Sequence, residues 1–123
     1  YAQTVPDFLR LVGRVQGLAA VHPDHDAMLV GVLAGPYEQW PLPWYLRRMG
    51  RVGYWTSEGD LAAVAQADVI VVSQEHAGAA ERALGVRCVS EFYGLRPDVV
   101  LTLYVDRELW IRYLAARAGP PAG

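Results

Sequence analysis

Met28-Leu29-Val30-Gly31-Val32-Leu33-Ala34 is an unbroken apolar run, closed by Gly35-Pro36. A strand with one face in water alternates apolar and polar residues. A strand covered on both faces has no wet side and reads as a continuous run like this one. Asp68-Val69-Ile70-Val71-Val72 is a second run of the same kind. Both are therefore expected to be central strands.

Helical signals lie around them. Thr4-Val5-Pro6-Asp7 reads as a helix start: Thr4 caps, Pro6 is tolerated in the first turn, and Asp7 suits the positive end of the helix dipole. Phe8, Leu11, Val12, Val15 and Leu18 then repeat at helical spacing, and the helix should end near Ala20, before His22-Pro23. After the first strand, Tyr37 to Trp40 reads as a loop leading into a helix from about Pro41 to Met49. Pro41 and Pro43 both fall in its first turn, where a missing N–H costs little. Leu42, Leu46 and Met49 form the stripe expected to face the sheet, with Tyr45 beside it.

Val52 to Trp55 is a short strand, and Ser57 caps a short helix with Asp60 at its third position. Glu75 to Leu84 is helical, and Val86 to Tyr93 is a strand. Arg96-Pro97-Asp98 is a turn, Val99 to Val105 a further strand, and Asp106 opens a last helix carrying Leu109, Trp110, Tyr113 and Leu114. Such alternation implies an α/β fold. The expectation is a Rossmann-like three-layer sandwich with a mainly parallel sheet of about five strands. The two strands flanking Pro97 must form an antiparallel edge hairpin, because their connection is too short for a parallel crossover.

The 123 residues suffice for one domain with one core, and 53% hydrophobic content argues against disorder. A net charge of −2 argues against a nucleic-acid partner held through phosphates. A single cysteine, Cys88, excludes an internal disulfide and a cysteine zinc site, and its strand-like setting marks it as a small core residue. No apolar run approaches the ~20 residues of a membrane span, and no signal peptide is evident. The chain begins at Tyr1, almost directly in a helix, as a soluble domain excised from a longer protein would. Residues 1–117 are expected to be that domain, and residues 118–123 a fraying tail.

In open α/β sheets ligands gather beyond the carboxyl ends of the strands. Glu38, Gln39 and Trp40 fall there after the first strand; Ser73, Gln74, Glu75 and His76 fall there after the third. Together they would make a polar crevice with an aromatic wall, suited to a sugar ring. The alternative is that Glu38 and Gln39 cap a helix and Trp40 is a plug. Trp44, Arg47, Arg48 and Arg51 recur at spacings of three and four on another helix side. They could hold an anionic group or meet a membrane interface. Alternatively, Trp44 packs under a neighbour and the arginines are solvated.

His22-Pro23-Asp24-His25-Asp26 has metal-ligand residue types, but it precedes the first strand and lies away from the crevice, so no metal site is expected. The chain has no G-x-G-x-x-G fingerprint and no lysine, which leaves no basis for a nucleotide cofactor. Ser73 and His76 lack a G-x-S-x-G context, and no catalytic residue is assigned.

Three stretches taken together resemble a known family. They are Trp40-Pro41-Leu42-Pro43-Trp44-Tyr45-Leu46-Arg47, then Val52-Gly53-Tyr54-Trp55, then Tyr93-Gly94-Leu95-Arg96-Pro97 running into Leu101-Thr102-Leu103-Tyr104-Val105 and Leu109-Trp110. They are similar to the C-terminal extracytoplasmic domain of polytopic membrane glycosyltransferases of the GT-C type. These are relatives of the dolichyl-phosphate-mannose protein mannosyltransferases, one branch of which is associated with flippase activity in surface glycosylation. The resemblance implies a place on the extracytoplasmic face of a cell membrane. It puts the catalytic carboxylates, and hexosyl transfer from a lipid-phosphate sugar, in the membrane-embedded portion of the same polypeptide. The domain would be accessory, packing on that portion or recognising a glycan, lipid-linked sugar or polypeptide acceptor. The alternative is an independent Rossmann-like small-ligand-binding domain or enzyme.

Overall fold

Successive residues of a strand point to opposite sides of its sheet, so each apolar run must supply two cores. A computed structural model of the chain, describing residues 6–40, 42–96 and 99–118, has this arrangement. The elements are α1 (Pro6–Val21), β1 (Val30–Leu33), α2 (Pro36–Gln39), α3 (Leu42–Tyr45), β2 (Val52–Trp55), α4 (Leu61–Val64), β3 (Val69–Ser73), α5 (Ala77–Leu84), β4 (Cys88–Arg96), β5 (Val99–Asp106) and α6 (Arg107–Ala118). The fold is α/β, built on a five-stranded mixed sheet of order β2-β1-β3-β5-β4.

β1 pairs in parallel with β2 (Val30 opposite Val52) and with β3 (Val30 opposite Val69). β5 runs antiparallel to both β3 and β4, so the expected hairpin exists and β4 is its outer, edge strand. On one face Val30, Val32, Val69, Val71, Leu101 and Leu103 pack against Phe8, Leu11, Val15 and Leu18 of α1. Leu42, Leu46 and Met49 join this cluster, as their stripe predicts, together with Leu109 and Tyr113 of α6. On the other face Leu33, Ile70, Val72 and Tyr104 meet Val64 of α4 and Ala80 and Leu84 of α5. Cys88 is buried in this second cluster, in agreement with its reading as a core residue.

Gly31 is needed for a close approach. A Cβ there would lie 3.2 Å from Val64 Cγ1 and 3.3 Å from the Val64 carbonyl oxygen. The backbone of α4 therefore comes down onto β1 at the one residue of that strand with no side chain.

Several boundaries differ from expectation. Tyr37 to Trp40 is not a loop throughout, because Gly35-Pro36 starts the single turn α2 at Pro36–Gln39. The helix expected from about Pro41 to Met49 is only α3, Leu42–Tyr45. Beyond it, Met49 N–H donates to the Leu46 carbonyl at 3.0 Å and Gly50 N–H to the Asp26 carbonyl at 3.1 Å. These turns still bury Leu46 and Met49 while steering the chain back towards β2, which a straight helix would not do. The strand expected from Val86 starts instead at Cys88. Arg87 N–H donates to the Leu84 carbonyl, and Val86 is left 92% exposed in the turn. Residues 74–76 form a separate 3-10 turn ahead of α5. The Thr4 cap, Pro41, the Pro97-Asp98 turn and residues 119–123 lie outside the described residues.

Tyr104 faces the second cluster and donates its hydroxyl hydrogen to Glu81 Oε2 at 3.0 Å. Burial, then this bond to a carboxylate, pushes its pKa up from the usual value near 10 to about 12. The phenol is thus held neutral in the folded state more firmly than in the unfolded chain. Its stabilising contribution is complete below about pH 10 and is lost as pH rises toward about 12. In an alkaline titration followed by tyrosinate absorbance, Tyr104→Phe should remove a tyrosine that ionises near pH 12 and flatten the fall in stability across this window.

Candidate functional site

β1 and β3 both end, and β5 begins, at one edge of the sheet, and a hollow of about 360 Å3 opens there. Glu38, Ser73, Gln74, Glu75, Val99 and Val100 line it. The loops after β1 and β3 thus meet where the rule for open sheets puts them. Ser73 is only 2% exposed, and its Oγ has no hydrogen-bond partner among the described residues. A buried hydroxyl with no partner is uncommon and is a ready contact for a ligand or an ordered water. Glu38 lies over the start of α2, its carboxylate 2.7 Å from where a Cβ on Gly35 would be. Two carboxylates, an amide and a hydroxyl make an acceptor-rich rim, suited to ligand hydroxyl groups and unsuited to anions.

The other residues expected at this edge have different places. Gln39 donates from Nε2 to the Ala34 carbonyl at 2.9 Å and the Trp55 carbonyl at 3.1 Å. It clips the ends of β1 and β2 together, closer to the capping alternative than to ligand contact. His76 is buried, with Nδ1 2.9 Å from Glu58 Oε2. A carboxylate only accepts, so Nδ1 carries the proton of that bond, which ties the turn after β3 to the turn after β2. His76 Nε2 lies 3.3 Å from Glu75 Oε1, within ion-pair range, but without the alignment of a hydrogen bond. Trp40 is 60% exposed and is not among the residues lining the hollow, so it is neither a plug nor an aromatic wall to it.

Trp44 and Arg47 belong to a separate surface. The guanidinium carbon of Arg47 sits 3.9 Å from the Trp44 ring centroid, and Nη1 donates to the Trp44 carbonyl at 2.7 Å. Trp44 is 54% exposed, so it does not pack under a neighbouring element. Both line a hollow of about 600 Å3 with Asp26, Tyr45 and Arg48. Asp26 precedes β1, which puts this surface toward the amino edge of the sheet. The structure therefore joins Glu38, Ser73 and Gln74, joins Trp44 and Arg47 elsewhere, and keeps the two groups apart.

The His22 to Asp26 loop is tied internally. His22 Nδ1 accepts from Asp24 N–H at 3.0 Å, so Nε2 carries the proton and donates to Asp68 Oδ2 at 3.1 Å. Nδ1 thereby closes the loop on itself, and Nε2 anchors it to Asp68, just ahead of β3. Among the described residues no group of acidic, histidine or cysteine side chains could hold a metal ion.

One constellation escaped the sequence reading. Arg14 of α1 donates from Nε to Glu91 Oε1 at 2.9 Å, from Nη2 to Glu91 Oε2 at 3.2 Å, and from Nη1 to the Tyr113 hydroxyl at 2.7 Å. Tyr93 closes the cluster, donating to Glu91 at 2.7 Å. Burial opposes the Arg14 charge, but the bonds to Tyr93 and Tyr113 and the charge of Glu91 outweigh it and raise its pKa further. The available signal was an arginine flanking the apolar stripe of α1 and the Glu91-x-Tyr93 alternation on one strand face.

No helix among the described residues is long and apolar enough to cross a membrane. No family model, curated protein or solved structure matches this chain.

Proposed function

We propose that this domain is a non-catalytic recognition and docking module of a membrane glycosyltransferase-like protein. It acts at the extracytoplasmic face of a cell membrane, beside the membrane-embedded portion of the same polypeptide. We read its fold as a Rossmann-like three-layer sandwich, with an antiparallel hairpin at one edge. The observation that carries the docking role is the exposed Trp44 ring with Arg47 stacked on it, inside the string that bears the family resemblance. An exposed indole beside guanidinium groups suits a membrane–water interface, where the ring sits among headgroups and the cations meet phosphates. The acceptor-rich hollow at Ser73 supplies the recognition role, with hydroxyl groups of a glycan as its ligand.

Vesicle association followed by tryptophan fluorescence tests the docking role. Trp44→Ala should weaken association with vesicles containing phosphatidylglycerol by about tenfold, equal to ~1.4 kcal/mol. Oligosaccharide titration followed by amide NMR tests the recognition role through the Ser73 and Gln74 signals. No response in either measurement would defeat the reading.

A second reading, an independent small-ligand binder or enzyme, is favoured by the unpartnered Ser73 Oγ at the wall of a hollow of small-ligand size. Tight binding of a small molecule at Ser73 without any response to oligosaccharide would select it.

A further inference from the structure

Gly17 and Gly13 lie one turn apart on α1, and α6 treats them differently. Over Gly17 the Tyr113 ring packs so closely that a Cβ would lie 3.0 Å from its Cε1 atom. Over Gly13 a Cβ would meet nothing within 4 Å. A groove of about 420 Å3 therefore opens where the packing of α1 on α6 stops, and Arg10, Gly13, Arg14, Tyr93, Tyr113 and Arg117 line it.

Three arginines edge this groove, and their charges are not equally answered. Arg14 is held by Glu91 along one edge, through Nε and Nη2, and by the Tyr113 hydroxyl through Nη1; among the described residues no hydrogen bond occupies the second N–H of Nη1 or of Nη2. Arg10 meets Asp7 at 3.4 Å, with the two side chains 75% and 43% exposed. So loose and wet a pair is easily exchanged for another anion. Asp7 is also engaged elsewhere, accepting from Gly94 N–H at 2.8 Å. Arg117 lies over the Tyr113 ring, 5.6 Å from its centroid, and has no carboxylate within ion-pair range among the described residues. Three arginines lining one open floor suit the oxygens of a phosphate, which guanidinium groups bind in fork geometry.

We infer that the groove between α1 and α6 is a further binding site of this domain, for a phosphate-bearing ligand. Arg117 and Arg10 supply the exchangeable contacts, and Arg14, braced by Glu91 and the tyrosines, is the fixed one. The chemistry is opposite to that of the carboxylate-rimmed hollow at Ser73. The groove shares no lining residue with the Trp44 surface, so the inference stands independently of the proposed function.

Amide NMR titration of the whole chain with inorganic pyrophosphate tests it. Pyrophosphate should shift the signals of Gly13, Tyr113 and Arg117. Arg117→Gln should weaken binding at least about tenfold, and Trp44→Ala should leave it unchanged. A Cβ at Gly13 meets no neighbour within 4 Å, and losing a helix-interior glycine favours the helix, so Gly13→Leu should fill the floor and block binding while keeping the fold. Competition by phosphatidylglycerol vesicles would identify the phosphate as a lipid headgroup. Pyrophosphate binding untouched by vesicles would identify a free phosphate ester. Absence of shifts at Gly13, unchanged affinity in both groove variants, or an equal response to sulfate at matched ionic strength would overturn the site.

Discussion

Phe8→Ala should destabilise the domain by about 3–5 kcal/mol, the usual cost of emptying an aromatic site in a closed core. Phe8 is fully buried under α1, and its ring meets Tyr45 edge to face with centroids 5.5 Å apart. The truncation removes a large apolar surface, leaves a cavity that strands on one side cannot close, and deletes the aromatic contact. Urea unfolding should show a lower midpoint with an unchanged slope. The effect should reach the surface as well. Tyr45 holds the single turn of α3, and α3 presents Trp44, so the Trp44 indole signal should broaden or move in the folded variant. A loss below about 1 kcal/mol, with the Trp44 signal unmoved, would mean that α1 does not support that surface.

Arg14→Met should cost about 2 kcal/mol. Breaking a buried ion pair by removing one partner costs roughly 3–5 kcal/mol, because the other charge stays behind. Here the two side chains keep 20% and 27% exposure, so water recovers part of that loss. Methionine keeps an apolar stem of similar length, so the loss is that of the guanidinium, including its place over the Trp110 and Tyr113 rings at 5.2 and 5.1 Å from their centroids. Glu91 is then left with the Tyr93 hydroxyl alone, and the Tyr113 hydroxyl loses its donor. The sign of the coupling is the sharper check. Arg14→Met/Glu91→Gln should be more stable than Arg14→Met alone, since the stranded charge is gone. Strict additivity of the two substitutions would show that the pair contributes nothing through its charge.

The distance between these two sites shows how local and tertiary information divide. The stripe Phe8, Leu11, Val15 and Leu18 was legible because helical period and burial coincide along the chain. The same holds for Leu42, Leu46 and Met49, whose burial survives although the expected long helix is replaced by one turn and a series of bends. Arg14 was illegible because its partners sit 77 to 99 residues away, on β4 and α6. The placement of Ser73, Gln74 and Glu38 around one hollow was legible from the strand-end rule, whereas the bonds of Gln39 to backbone and of His76 to the Glu58 turn were not. Glutamine and histidine satisfy a buried carbonyl or carboxylate as readily as they contact a ligand. Residue type and position along the chain do not separate those uses.

The amino-acid sequence by itself determined the α/β class, the buried runs at the centre of the sheet and the antiparallel hairpin. Hydrophobic period and connection length are local properties that constrain those features directly. Only the tertiary structure decided that β5 lies between β3 and β4. It also decided that Trp44 with Arg47 and Ser73 with Glu38 belong to different surfaces, and that a glycine on α1 faces open space between three arginines. Strand order and helix spacing follow from which apolar faces cover one another. That choice is made across the whole core, and it sets the neighbours of every polar side chain on the surface.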